Sequence, residues 1–536
     1  MTSNIYIKEL KIKGYKRFAE FSMKFNEEIN VIIGENESGK STILEALEIV
    51  LNQTIFNYGS GIFEQYFTIE NVRKFQKNPV FENLPEIEIE VFFNDSNDIK
   101  MGYFNGYHSS SKDESKNGIR FRYSFDESFK QLFEEMSFEV DSENIFIPTD
   151  YYNANWETFA GRKYNRRKVP IKNLTIDNSV QKNNLFDSYT KRVYNNKVET
   201  VERNELSHNL KSNLNQFLIE NEHLLRIGDH SLGFDERKSY FEQLIDLKSN
   251  GVSLQNMGKG RENLIKTEIA LDRVCELILL EEPENHLSYL NTRKLISEIQ
   301  EKKDGVQIIL TTHSPLIVSR MNLQNTLLIN ENQCHTLKDI PEETANFFKR
   351  TDNMNILNFI LSKKVIIVEG HSEYILLPTL VKNSLKTTLD KEGIEVISGA
   401  GLTYMHYIEV SKVVKNNLLV ITDNDKKQDT IEKIKSLNQE FLESTNLINL
   451  VCDSDIKMFT FEVCLYKGNK ETLKTISKHK PGTTAIYEKE TYDQPLAYML
   501  KNKTEAAMSI TEDEEYKDKI LLPQYIKEGV LWLTQS

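Results

Sequence analysis

The stretch Lys364–Pro378, KVIIVEGHSEYILLP, decides the fold of the second half of the chain. A short apolar run, Val365 to Val368, reads as a buried strand. It ends in Glu369-Gly370, and a helical pattern follows that carries Glu373 in its first turn. Gly370 permits a tight turn, so both carboxylates are expected to converge at the strand's C-terminal edge, where open α/β sheets place their ligands. Further on, LLVITDND ends an apolar run in Asp423 and Asp425. Their i, i+2 spacing predicts that both point to one face. Converging like charges need a cation, and hard oxygen donors in this number suit Mg²⁺, Mn²⁺ or Ca²⁺. Two such ions could clamp the attacking and leaving oxygens of a phosphodiester.

Around this stretch the apolar runs KKVIIVEG, IEVISGAG, NLLVITDND and NLINLVCD alternate with helical patterns. That is the signature of a parallel, doubly wound sheet. Upstream the pattern differs. EIEIEVFF and GIRFRYSF alternate with period two and predict half-buried antiparallel strands. The region 151–250 is rich in Asn, Lys and Glu. Its one stripe, Leu206, Leu210, Leu214 and Leu218, predicts an inserted helical region that packs in cis or against a second subunit.

A second site lies near the start. Gly34-Glu-Asn36-Glu-Ser-Gly39-Lys40-Ser41-Thr42 follows the strand NVIIG and precedes the helical pattern STILEALEIVL. It fits G-x4-G-K-[ST], in which backbone N–H groups turn toward phosphates, the lysine reaches the β- and γ-phosphates and the serine can ligate Mg²⁺. ATP with Mg²⁺ is therefore the expected cofactor. LILLEEPENHL supplies Glu281 and Glu282 at a strand end, one expected to help hold Mg²⁺ and the other to polarise the attacking water. The strand QIILTTHSP places His313 to sense the γ-phosphate.

The N-terminal half resembles the ABC-type ATPases of the structural-maintenance, recombination-repair and overcoming-lysogenization-defect (OLD) group. GENESGKST resembles their Walker A motif, LLEEPENHL their Walker B and D-loop, TTHSP their His-switch, and NMGKGRENL, Asn256–Leu264, a degenerate signature motif. In such ATPases one subunit's signature completes another's site, so the resemblance implies a homodimer or higher homo-oligomer. The acidic site resembles the Toprim domain, with Glu after the first strand and Asp-x-Asp after the third. ATPase followed by Toprim is the architecture of the OLD nuclease family, which includes the nuclease subunit of the Gabija antiphage system. That resemblance implies Glu462 as a further metal ligand and Lys503, or its neighbour Lys501, as the group that stabilises phosphate charge. It also implies that Gly399 and Gly401 allow backbone approach. A helicase partner and a role in phage defence follow only by analogy with Gabija.

The 536 residues predict two or three domains. The expected division is an ATPase part over 1–150, a helical insertion for dimerisation over 151–250, the rest of the ATPase over 251–345 and Toprim over 346–536. Hydrophobic content of 39% against 27% charged residues is globular. No apolar run is long enough to span a membrane, and the N-terminus reads as lacking a signal core. Four cysteines without Cys-x-x-Cys argue against a zinc ribbon or disulfide framework and fit a cytoplasmic protein. A net charge of -13 counts mildly against nucleic-acid binding, although Ala160–Lys172 and Leu500–Ala507 are locally basic. The leading expectation is a metal-dependent DNA endonuclease regulated by its ATPase. The alternative is an ATP-driven DNA-binding clamp with an inert Toprim fold.

Overall fold

The computed structural model describes the chain except residues 1–3, 55–63, 97, 110, 137–145, 178–182, 236–240, 400–402, 445–446, 477–484 and 536. Gly401 therefore lies outside the described residues. The chain divides into two compact units, one formed by residues 1–321 and 325–336, the other by 322–324 and 337–536.

The first unit holds strands β1 (Ile7–Tyr15), β2 (Phe18–Lys24), β3 (Ile29–Gly34), β4 (Ile87–Phe93), β5 (Asn105–His108), β6 (Ser111–Phe125), β7 (Tyr152–Thr158), β8 (Asn173–Asp177), β9 (Leu277–Glu281), β10 (Gln307–Thr311), β11 (Thr326–Asn330) and β12 (Gln333–Thr336). One sheet has the order β2-β1-β4-β6-β5, with β7 on β6, and its neighbours pair antiparallel. The period-two pattern of β4 and β6 buries Ile87, Ile89, Val91, Ile119 and Phe121 in a core shared with the helix Lys40–Asn52. The acids of β4 are not all solvated. Glu90 is buried and accepts from Arg120 Nε at 2.9 Å, and Arg120 also donates to Glu157 at 3.0 Å. Burying that carboxylate is tolerable because the guanidinium and its hydrogen bonds go with it.

The second sheet has the order β12-β11-β3-β10-β9-β8, parallel except for β12. Every residue of β3 is buried, as a central parallel strand covered on both faces requires. The region 151–250 departs from its expected helical character. β7 and β8 occupy its first part, because their apolar residues complete the two sheets. Helices Asn183–Lys197, Thr200–Glu220 and Glu222–Leu225 follow. The helical insertion thus begins after β8. The helix Thr200–Glu220 has no buried residue, so its leucine stripe is not core within the chain.

In the second unit, β13 (Lys364–Val368), β14 (Ile394–Ser398), β15 (Asn417–Ile421) and β16 (Ile448–Val451) form an all-parallel sheet in the order β14-β13-β15-β16. Helices flank it, and Leu376, Leu380, Leu419, Val530 and Leu533 share one core. Among the described residues no helix is long and apolar enough to cross a membrane.

Candidate nucleotide and acidic sites

At the end of β3 the chain turns through Gly34 to Gly39 and enters the helix Lys40–Asn52. Gly39 has φ 99°, a left-handed conformation, and a Cβ there would meet the Phe18 ring at 2.5 Å. Lys40 is buried and its ammonium donates to the carbonyls of Gly34 at 3.0 Å and Glu35 at 2.8 Å. Burial lowers its pKa, against the pull of Glu282. Burial raises the pKa of Glu281, and the nearby Ser41 works against that rise. Asn36 is exposed on the loop and Thr42 half-buried in the helix's first turn.

Glu282 leaves β9 with φ 44°, accepts from Asn285 Nδ2 at 2.7 Å and stands 3.7 Å from His313 Nε2. Burial, then the neighbouring Lys40, holds the His313 pKa below its ordinary value, so the ring is neutral near pH 7. One member of this site escaped the sequence reading. Glu284 accepts from Thr312 Oγ1 at 2.6 Å and from the His313 backbone N–H at 2.8 Å. It thereby ties the loop after β9 to the loop after β10. The only signal was its place two residues beyond Glu282, which any solvated loop acid could share.

The acidic site forms at the C-terminal edge of the parallel sheet in the second unit. Glu369, just past β13, accepts from Thr422 Oγ1 at 2.9 Å and from the Asp423 backbone N–H at 3.1 Å. Glu373 is buried in the first turn of the helix His371–Leu385. Asp423, just past β15, accepts from the Phe461 backbone N–H at 2.8 Å. That bond brings in the helix Phe461–Gly468, whose Glu462 is buried and lies 3.0 Å from Lys503 Nζ. The sequence left Lys501 and Lys503 open as neighbours. Lys503 is the one paired with Glu462, while Lys501 is an exposed end of the preceding helix. Gly399 sits tight against β13, where a Cβ would meet Ile367 Cγ2 at 2.8 Å.

Asp425 does not share the face of Asp423. β15 ends at Ile421, so strand alternation no longer applies at 423–425. Asp425 takes φ 53°, its side chain is 57% exposed, and it lies 3.7 Å from Lys427. Between the two acids Asn424 is buried, and its amide donates to the carbonyls of Asp453 and Asp455, both at 3.0 Å. That anchorage turns the loop and directs Asp425 outward.

Two family descriptions match the chain. "AAA domain, putative AbiEii toxin, Type IV TA system" matches residues 29–319, and "Overcoming lysogenization defect protein-like, TOPRIM domain" matches residues 360–425. The chain belongs to this AAA-domain family and carries an OLD-like TOPRIM domain. Endonuclease GajA of Bacillus cereus strain HuB5-5 is 22% identical over 700 residues, covering 99% of this chain and 99% of that protein. The structural maintenance of chromosomes protein 3 homolog of Plasmodium falciparum is 22% identical over 529 residues, covering 88% of this chain but only 41% of that protein. Among solved structures, an SmcHead bound to the C-winged helix domain of ScpA covers 62% of this chain and 99% of that one, at 16% identity and TM-score 0.35. AAA-type ATPase and TOPRIM domains generally use ATP with Mg²⁺ and a divalent metal.

The TOPRIM carboxylates carry the electrostatic mark of such a site. Burial, then Glu462, pushes Glu373 from its ordinary 4.5 up to about 7. Burial, then Glu373 and Glu369, pushes Asp423 from 3.8 up to about 8. Lys503 opposes both shifts; burial works to lower its own pKa, but Glu462 and the other acids hold it raised. One ammonium thus answers Glu462, Asp423 and Glu373. Among the described residues no three His, Cys, Asp or Glu side chains form a closed metal cage as they stand. The donor chemistry fits a hard divalent cation, because oxygen ligands that repel one another in a partly dry site are relieved by positive charge.

Proposed function

We propose that the chain is a metal-dependent endonuclease that cleaves DNA phosphodiester bonds at its TOPRIM site under the control of its ATPase unit, in antiphage defence. The observation that carries this reading is the convergence of Glu369, Glu373, Asp423 and Glu462 around Lys503 at the edge of a parallel sheet. The near full-length likeness to an endonuclease supports it. Glu369, Glu373, Asp423 and Glu462 would hold Mg²⁺ or Mn²⁺, while Asp425, turned outward, would stand outside that set. When bound, the metal supplies an activated water and neutralises phosphate charge. Lys503 would stabilise the negative charge that develops on the phosphate. Thr422 and the Asp423 N–H hold one Glu369 oxygen and so orient that carboxylate.

At the other site Gly34, Asn36, Gly39, Lys40, Ser41 and Thr42 would cradle the ATP phosphates, Glu281 would help hold Mg²⁺ through Ser41's side of the loop, Glu282 would polarise water, and His313 would read the γ-phosphate. The half-exposed leucine face of the helix Thr200–Glu220 supports a homodimer. A helicase partner is compatible with this assembly, and the four free cysteines fit a cytoplasmic protein. Plasmid cleavage with Mg²⁺ or Mn²⁺ tests the reading. Wild type is expected to nick or linearise the plasmid, and Glu369→Ala to leave it intact. Lys40→Ala, with and without ATP, reports the sign of the coupling. ATP turnover by a wild type that never cuts any plasmid would instead favour a DNA-binding clamp.

A further inference from the structure

The first unit contains an acid that no motif singles out. β8 pairs with β9 in parallel register, with Asn173 beside Leu277, Thr175 beside Leu279 and Asp177 beside Glu281. Alternate residues of a strand share a face, so Asn173, Thr175 and Asp177 form one row. The first two are anchored on the helix that follows the P-loop. Asn52 Nδ2 donates to Asn173 Oδ1 at 2.8 Å, and Thr175 Oγ1 donates to Glu48, which also accepts from Arg192 at 2.7 and 2.8 Å. Two strand residues advance about 6.6 Å, and four helix residues about 6.0 Å. The row therefore climbs the helix in step, from Asn52 to Glu48 and on toward Glu45, next to the turn that holds Ser41. At the same level burial raises the pKa of Glu281; the nearby Ser41 opposes that rise and Asp177 adds to it. Asp177 is half-buried, so water reaches it.

We infer that Asp177 is a third carboxylate of the nucleotide site, a positioning residue that accepts hydrogen bonds from the water shell of the divalent cation held with ATP. This rests on the P-loop reading. Mg²⁺ keeps several of its waters when it binds with phosphates, and those waters need acceptors. Glu281 stands nearer Ser41, and Asp177 lies one strand spacing farther out, the place of an outer-shell acceptor.

Binding of a fluorescent ATP analogue to the full chain, in Mg²⁺ and in EDTA, tests it on wild type, Asp177→Asn, Asp177→Glu and Lys40→Ala. In Asp177→Asn the affinity gained on adding Mg²⁺ should fall about tenfold, as for other outer-shell partners of a metal. Its metal-free ATP affinity should stay equal or rise, since a negative charge near the triphosphate is gone. Asp177→Glu should keep most of the gain. An Mg²⁺ gain in Asp177→Asn equal to wild type overturns the inference. So does an equal loss with and without Mg²⁺, which is what a merely structural residue would produce. A wild type without Mg²⁺-dependent binding, or one matched by Lys40→Ala, removes the P-loop reading itself and the inference with it.

Discussion

The two sites gather acids at the C-terminal edges of parallel sheets, yet they balance charge differently. In the nucleotide site most charges have partners within the chain. Lys40 lies against two carbonyls, Glu284 takes two hydrogen bonds, and Glu48 below the P-loop is locked to Arg192. In the TOPRIM site Glu462, Asp423 and Glu373 share one lysine, and two of them are pushed up to about 7 and 8. The difference teaches that the first site is preorganised by its own side chains. The second leaves its carboxylates repelling one another.

The sharpest way to break that contrast is to remove an acid from the TOPRIM site. Glu373→Gln should lower the plasmid cleavage rate by about a thousandfold, in the range that metal and charge-stabilising groups contribute. Asp425→Asn, altering the outward acid, should cost far less. Equal losses in the two variants would mean that the loop after β15 rearranges fully in the working enzyme.

Stability should move in opposite directions at the two sites. Arg192→Met leaves Glu48 buried without its guanidinium and should destabilise the first unit by about 3 kcal/mol, read by urea titration. Metal-free Glu373→Gln should instead stabilise the second unit by about 1–2 kcal/mol at pH 8, because a repelled charge is gone. A loss of stability in Glu373→Gln would show that the carboxylate is already compensated.

The smallest effect is the pH dependence. Glu373 and Asp423 bind protons more tightly folded than unfolded, so their contribution to stability is fully present below about pH 4. It is lost as pH rises through about 7 and then 8. The metal-free melting temperature of the second unit should therefore fall over that window. Mg²⁺ must displace those protons, so its affinity should rise with pH from 6 to 8, by up to about tenfold per pH unit for each proton displaced. Calorimetry in buffers of different ionisation enthalpy would count the protons released. A pH-independent affinity would show that the carboxylates are ionised before metal arrives.

Much of this architecture is legible in the residues. NVIIG followed by G-x4-G-K-S-T reads as strand, phosphate loop and helix because each needs only local chemistry: an apolar run, glycine at φ 99° and helical spacing. The parallel sheet after residue 360 is legible for the same reason, since strands buried on both faces read as unbroken apolar runs. β7 and β8 were hidden inside a polar region. Their few apolar residues, such as Trp156, Leu174 and Ile176, make sense only against the sheets they complete.

The sequence by itself determined which acids end which strands, because strand ends follow from apolar runs and turns. Only the tertiary structure decided which of those acids meet. Glu462 joins Asp423 because the Phe461 N–H reaches a carboxylate 38 residues away in sequence. Asp425 leaves because buried Asn424 claims the loop's carbonyls. Asp177 comes level with Glu281 through a register set by pairing across the sheet. Each outcome depends on a long-range hydrogen bond or a burial cost, and neither is written in local spacing.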